Sequence, residues 1–409
     1  MDFDCDALVI GAGPAGSAAA IWLAKAGWKV MLVEQHAYPR RKVCGECVAA
    51  GNLAVLDELG VGTEFRAAAG PELREVGWID AAATVTAAMP YCAGGPYRYG
   101  RALGRDRLDA QLLVRAQSLG AIVLQPVRVR AVRGDVGDFE CIVEPLGRER
   151  REPIERARDR TIRAPIVIDA HGSWERCPGV AGDQAAARRS SDLFGFKANY
   201  RNTALAPGYL PVLALPGGYG GLVVADGGRT TLACCIRRDT LSASRALMPY
   251  AAAGIAVEAF LRRSIPGLGA MLQNAERDGQ WLSVGPLQPG IRVDAVMGAF
   301  RVGNSAGESH PLIGEGITMA LQSSTLLADI LTSRAPTAID RQCGIAMHRS
   351  YAAAWRRRFA PRLHLAALYA QIAMRPAMAR PARALLRHWP SLLRSAARLA
   401  GKAARAPKR

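Results

Sequence analysis

The chain opens on a short apolar run, Ala7 to Ile10, of the kind that forms a strand buried on both faces. A glycine-rich turn, Gly11-Ala-Gly13-Pro-Ala-Gly16, follows at once. A helical stretch from Ser17 to Ala26 comes next, with Gly27 where a helix-ending glycine belongs. A second apolar run, Lys29 to Val33, ends in Glu34, so this opening predicts a β-α-β unit. Further along, Leu108, Leu112, Leu113 and Ala116 recur at helical spacing and Gly120 marks a stop. Short strands are predicted at Ala121 to Leu124, Cys141 to Val143 and Ile166 to Ile168. The mixed-charge run Arg148 to Arg160 reads as a solvated hairpin tip. From about Leu193 to Ile236 the pattern turns strand-like, broken by Pro207, Gly208, Pro216, Gly217 and Gly218, which predicts a mostly β layer. Ala299 to Val302 returns to a core strand and ends in Gly303-Asn304. There is no internal repeat.

Composition narrows the picture. A chain of 409 residues, half of them apolar, suits two or three compact units. No apolar stretch is long enough to span a bilayer. Three Asp within the first six residues, with no basic segment before an apolar one, do not read as a signal peptide. Nine cysteines, an odd number scattered along the chain, fit reduced thiols in a cytoplasm. The net charge of +18 suggests nucleic acid until it is located. Sixteen Lys or Arg and no Asp or Glu follow Asp340, whereas the residues before carry 37 basic and 35 acidic groups. The basic character therefore belongs to a tail, and no nucleic-acid partner is expected. From Tyr351 to Ala400 this tail alternates Leu and Ala clusters with Arg. Pro376, Pro381 and Pro390 are expected to cut it into short amphipathic helices. Such helices, with Trp355 and Trp389, suit a cap over a substrate cavity first, and contact with an anionic membrane surface second. The two roles are compatible.

A lone GxGxxG says little. Here it follows a strand, opens a helix, and has an acid at the end of the next strand, which together make a dinucleotide site. Gly11 permits the sharp turn, Gly13 lets backbone approach a pyrophosphate, and Gly16 lets helix and sheet pack closely. Pro14 and Ala15 begin the helix, whose free N–H groups and dipole favour the phosphates. Glu34 would accept hydrogen bonds from ribose hydroxyls.

Two later segments add to this: Arg105-Asp-Arg-Leu-Asp109, and Gly303-Asn-Ser-Ala-Gly-Glu-Ser-His-Pro-Leu-Ile-Gly-Glu-Gly-Ile-Thr318. With them the chain, over roughly residues 5 to 335, resembles the p-hydroxybenzoate-hydroxylase-like branch of FAD enzymes. Within that branch it is most similar to geranylgeranyl reductases and related FAD-dependent oxidoreductases and monooxygenases. The resemblance implies FAD as cofactor, with NADPH or NADH as a candidate reductant. It implies that Arg105 contacts FAD, that Asn304 bonds the ribityl chain in place of a usual Asp, and that Pro311 and the Gly314-Glu315-Gly316 turn lie against the isoalloxazine. A helix start near Ile317 there can stabilise negative charge on reduced flavin. Lys42-Val-Cys44-Gly45-Glu46-Cys47 resembles the family's Lys-x-Cys-Gly stretch beside the ring, which makes Lys42 and Cys44 flavin neighbours. A Cys44/Cys47 dithiol relay is the alternative, and no partner motif supports zinc or another metal.

Catalytic candidates are His310, whose ordinary pKa lies near neutrality, Glu315, Cys44, and Tyr219 within Gly217-Gly-Tyr-Gly-Gly221. Each also has a bland reading: packing on the flavin edge, a backbone-bonded acid, a loop cysteine, a core aromatic. The sequence departs from the family in three places. His171 replaces the Asp of an Ala-Asp-Gly signature, which puts direct reduction by NADPH in doubt. Leu213-Ala-Leu215-Pro216 lacks the reductases' aromatic substrate signature. The Trp-x-Trp-x-Ile of flavin halogenases is absent, which sets halogenation aside.

The expected fold is α/β: an FAD-binding Rossmann-like domain of the glutathione-reductase type from residues 1–75, 100–185 and 286–340. To it are added a substrate-binding β domain from 76–99 and 186–285 and a basic helical region at 341–409. The expected activity is an FAD-dependent oxidoreductase, a monooxygenase or dehydrogenase of a small apolar or aromatic metabolite or lipid. Ene reduction of an isoprenoid lipid, and service to a protein partner, are the alternatives. The expected place is the cytoplasm, with peripheral contact at the inner face of the membrane through the tail.

Overall fold

The computed structural model describes residues 3–146, 160–173, 188–294 and 298–402. The hairpin tip expected at Arg148 to Arg160 lies, but for Arg160, outside them. Five parallel strands form the first sheet, in the order Phe300–Arg301, Ile166–Asp169, Ala7–Ile10, Val30–Val33, Ile122–Leu124. The three central ones are buried along their whole length, as unbroken Val, Ile and Leu require when both faces are covered. The first helix spans Pro14–Lys25, three residues earlier than the pattern suggested. Pro14 at its first position has no N–H to lose and its φ is already helical. The helix Gly316–Leu331 packs beside it. Buried polar bonds fasten the pair: Ser324 Oγ donates to the Ala15 carbonyl at 2.7 Å and Trp22 Nε1 to Thr325 Oγ1 at 3.2 Å.

The second sheet runs in the order Glu276–Arg277, Leu193–Arg201, Thr230–Arg237, Gly218–Val224, Tyr209–Leu215, Glu75–Ile79, Thr84–Ala88, with Leu282–Val284 also on the second strand. It is antiparallel except where Tyr209–Leu215 meets Glu75–Ile79. Alternation sorts its faces. Trp78, Ala214, Tyr219, Val223 and Cys235 look into one apolar cluster. Leu213, Leu222, Leu232 and Ile236 look into another, closed by the helix Ala253–Ser264.

A helix of 34 residues, Arg341–Met374, ties the two parts together. Tyr351, Trp355, Phe359 and Leu363 bury in the core of the first sheet, then Ala370, Ala373 and Met374 in the cluster facing the second. The expected break at every tail proline is corrected here. Pro376 opens the helix Pro376–His388 and Pro390 precedes Ser391–Leu399, but the chain stays helical through Pro381 and through Pro361. An interior proline costs about 3 kcal/mol. Packing on both sides of Pro361, by Phe359 and Leu363, offsets it.

Candidate active site

A cavity of about 600 Å³ lies between the first sheet and the second. Gly13, Pro14 and Ala15 form one wall, with the loop Lys42 to Cys47, Arg105 and the strand end Ala170 to Ser173. Tyr219 and its neighbours form another, and Asn304, His310, Pro311, Gly314, Gly316 and Ile317 a third. Leu385, Leu386, Leu392, Leu393 and Leu399 of the last two helices roof it. Of the catalytic and cofactor-binding candidates read from sequence, Gly11, Gly16, Glu34 and Glu315 stand behind the wall, and the others line it.

Those behind the wall shape it. Gly11 has φ +100°, and a Cβ there would sit 2.6 Å from the Ala170 carbonyl oxygen; a Cβ on Gly16 would collide with the Gly11 carbonyl. Both positions therefore need glycine for backbone reasons. Gly13 differs. Its nearest neighbour would be Arg105 Nη2 at 3.7 Å, so the missing side chain leaves room for something other than protein. The helix it opens has no side-chain cap, and its first N–H groups remain free for an anion. Glu34 is buried, and its two oxygens accept the Ala12 and His36 N–H groups, each at 2.9 Å. It thus braces the glycine turn from below. Arg105 is held in a two-point pair with Asp109, both contacts 2.7 Å. The helix from Gly316 is also uncapped by any side chain, and a Cβ on Gly316 would meet open space.

The third wall is anchored by polar contacts. Asn304 Nδ2 donates to Ser173 Oγ at 2.7 Å. His171 Nδ1 rests on the Asp169 carboxylate, which also faces Arg301 at 3.5 Å. Tyr219, fully buried, has its hydroxyl 3.1 Å from His310 Nδ1. Burial pushes the Tyr219 phenol well above its usual range and His310 down to about 4. Both side chains are neutral at pH 7. Cys44 is half-buried at the wall, and Cys47 is buried, its thiol pushed up to about 11 by desolvation. Among the described residues, none of the eight cysteines is in a disulfide.

Sequence reading missed one group. Glu46 is fully buried, with φ +61°, a conformation that side chains other than glycine seldom adopt. Its carboxylate contacts Lys197 Nζ and Thr231 Oγ1 and accepts the Arg105 N–H at 3.0 Å. A buried ion pair thereby joins the Lys42 to Cys47 loop, the second sheet and the helix of Arg105. A lysine inside an otherwise apolar strand, Phe194-Gly-Phe-Lys197-Ala, was the available signal.

An uncapped helix start with an open glycine, an acid at the second strand's end, a second uncapped helix start across the cavity and an apolar chamber beside them fit FAD. Together they mark an FAD-dependent oxidoreductase, similar to the p-hydroxybenzoate-hydroxylase-like enzymes. Residues 4–191 match the FAD binding domain family. The chain is 27% identical over 353 residues to a menaquinone reductase of Mycobacterium tuberculosis, covering 82% of this chain and 78% of that protein. In fold it is similar to a flavin-dependent brominase (TM-score 0.71, 17% identity, 97% of this chain and 93% of that one). It is also similar to a geranylgeranyl bacteriochlorophyll reductase-like protein from Thermoplasma acidophilum (TM-score 0.66, 20% identity, 88% and 85%).

Proposed function

We propose that the enzyme reduces a carbon–carbon double bond of an apolar isoprenoid-type lipid, such as the prenyl tail of a quinone. The observation that carries this is the neutral Tyr219–His310 pair on the wall of a long apolar cavity. The likeness to a menaquinone reductase over four-fifths of the chain supports it. FAD, when bound, supplies the hydride. What remains for the protein is to exclude water, hold an apolar chain straight and deliver one proton to the other carbon of the double bond. Tyr219 suits that proton delivery, because its phenol stays protonated at neutral pH and the adjacent imidazole can pass on a replacement proton. Gly13, Pro14, Ala15 and Arg105 would hold the adenosine diphosphate half, with Gly16 and Glu34 shaping the glycine turn from behind. Lys42, Cys44, Asn304, Pro311, Gly314, Gly316 and Ile317 would hold the flavin half. Glu315 acts from behind the wall and does not touch the substrate. Electrons come from a donor other than directly bound NADPH or NADH, in keeping with His171 at the strand end.

Substrate enters through the roof. Leu385, Leu392 and Leu399 line the cavity and are also exposed, as is Trp389. Around them stand Arg380, Arg387 and Arg398, with no acid in either helix. An apolar rim ringed by arginines suits the anionic inner face of a membrane, and no described helix is long and apolar enough to cross one. Turnover is tested anaerobically: dithionite-reduced holoenzyme mixed with menaquinone in detergent should yield product that stays heavier by two hydrogens after the quinone ring is reoxidised in air. Product that instead requires oxygen and gains an oxygen atom would replace this reading with hydroxylation. Tyr219→Phe should lower kcat by about 100-fold or more, the usual scale for a positioned acid, with KM little changed.

A further inference from the structure

The turn Gly314-Glu315-Gly316 is gripped from behind by two distant parts of the chain. Glu315 is fully buried; its Oε2 lies 3.4 Å from Arg362 Nη1 of the long helix, and its Oε1 has no hydrogen-bond partner. Against this carboxyl sits Gly401, with φ +84°. A Cβ there would come within 2.9 Å of Glu315 Oε2, so only glycine lets the backbone approach so closely. The next residue, Lys402, donates from its ammonium to the Gly314 carbonyl at 3.2 Å. Lys402 also lines the cavity together with Gly314 and Gly316. The turn following the roof helices thus returns to the wall proposed to face the flavin, bringing a cation with it.

We propose that Lys402 is a positioning residue of the cofactor site, fixing the Gly314–Gly316 turn and placing a positive charge where reduced flavin carries its negative one. The proposal rests on the reading of that turn as flavin-facing. The helix start at Gly316 supplies partial positive charge only; Lys402 supplies a whole one in a water-poor cavity, where charges act more strongly than in bulk water. A cation there stabilises the reduced, anionic cofactor more than the oxidised, neutral one, and so raises its reduction potential. Glu315 acts by position, seating the Gly401–Lys402 turn; burial raises its carboxyl above the usual range, and Lys402 and Arg362 beside it oppose that rise. The roof and the cofactor are thereby linked.

The test uses full-length holoprotein and dye-coupled redox titration. Lys402→Gln should lose about tenfold of its preference for reduced over oxidised FAD, a drop of about 30 mV for a two-electron couple. Lys402→Arg should keep the original potential, and the melting temperature should be unchanged in both. An unmoved or raised potential in Lys402→Gln, or an equal drop in the Lys402→Arg protein, overturns the assignment. Gly316→Val locates the fault, since a Cβ added there has no atom within 4 Å beyond its own helix and chain neighbours. Weakened FAD binding in Gly316→Val together with an unmoved potential in Lys402→Gln rejects Lys402 alone. Normal FAD binding in Gly316→Val, with the same unmoved potential, rejects the flavin-facing reading of the turn as well.

Discussion

Glycine plays two opposite parts within six residues. At Gly11 and Gly16 any side chain collides with backbone, whereas at Gly13 it meets only the tip of Arg105. Gly13→Val should therefore fold and melt near the original temperature yet elute from gel filtration without the flavin absorbance. Gly16→Val should fail earlier, as insoluble protein. These roles were legible in the sequence because turn sterics are local. The Glu46–Lys197 pair was not, since its partners stand 151 residues apart and only the folded chain joins them. Lys197→Met would leave a buried carboxylate without its cation, a loss of about 3–5 kcal/mol. Adding Glu46→Gln should restore most of it, as urea denaturation would record.

His310 gives a residue-level prediction in pH. Unfolded, its imidazole takes up a proton near pH 6.5; in the fold it stays neutral until about pH 4. Between those values the unfolded chain binds more protons, so stability falls as pH drops through the window, by about 3 kcal/mol at most. In His310→Phe that part of the slope should vanish from denaturation midpoints measured between pH 7 and pH 4.

At the scale of elements, periodicity located the first sheet and the first helix to within a few residues, because apolar runs bounded by glycine have few other structures open to them. On the tail it placed the helix boundaries at Pro376 and Pro390 but not the long helix before them. Arg341–Met374 carries arginines, alanines and a central proline, and nothing local in that mixture says which face is buried. Only two preformed cores choose it. Tyr351, whose hydroxyl donates to the Arg301 carbonyl at 2.7 Å, Trp355 and Phe359 dock on the first, and the alanines that follow dock on the second. Trp355→Ala should cost about 3–5 kcal/mol. Because the same helix carries Arg362 to Glu315, the variant should also release FAD more readily than its stability loss alone accounts for, which fluorescence of freed flavin during urea titration would detect.

Across the whole molecule, charge is separated: a nearly neutral body and a basic roof. Of the roof arginines, Arg383 is committed to Asp80 at 2.8 Å and Arg394 lies over the Tyr91 ring, which leaves Arg380, Arg387 and Arg398 for a lipid surface. Replacing these three by Ser should weaken binding to vesicles of anionic phospholipid by about 1 kcal/mol per residue, with the difference shrinking as salt rises. Flotation that is unaffected by the triple replacement, or by removal of residues 376–409, would leave the roof as a lid alone.

The long helix that bridges both cores is also synthesised after every strand of the two sheets. Until it emerges from the ribosome, the glycine turn and both sheets can already have folded around an unroofed chamber, for a matter of seconds at elongation rates of roughly 5–20 residues per second. Loading of the nucleotide is then easiest on the nascent polypeptide. A cell starved of riboflavin should accumulate a closed, colourless form that takes up the vitamin's derivative far more slowly when it is later supplied.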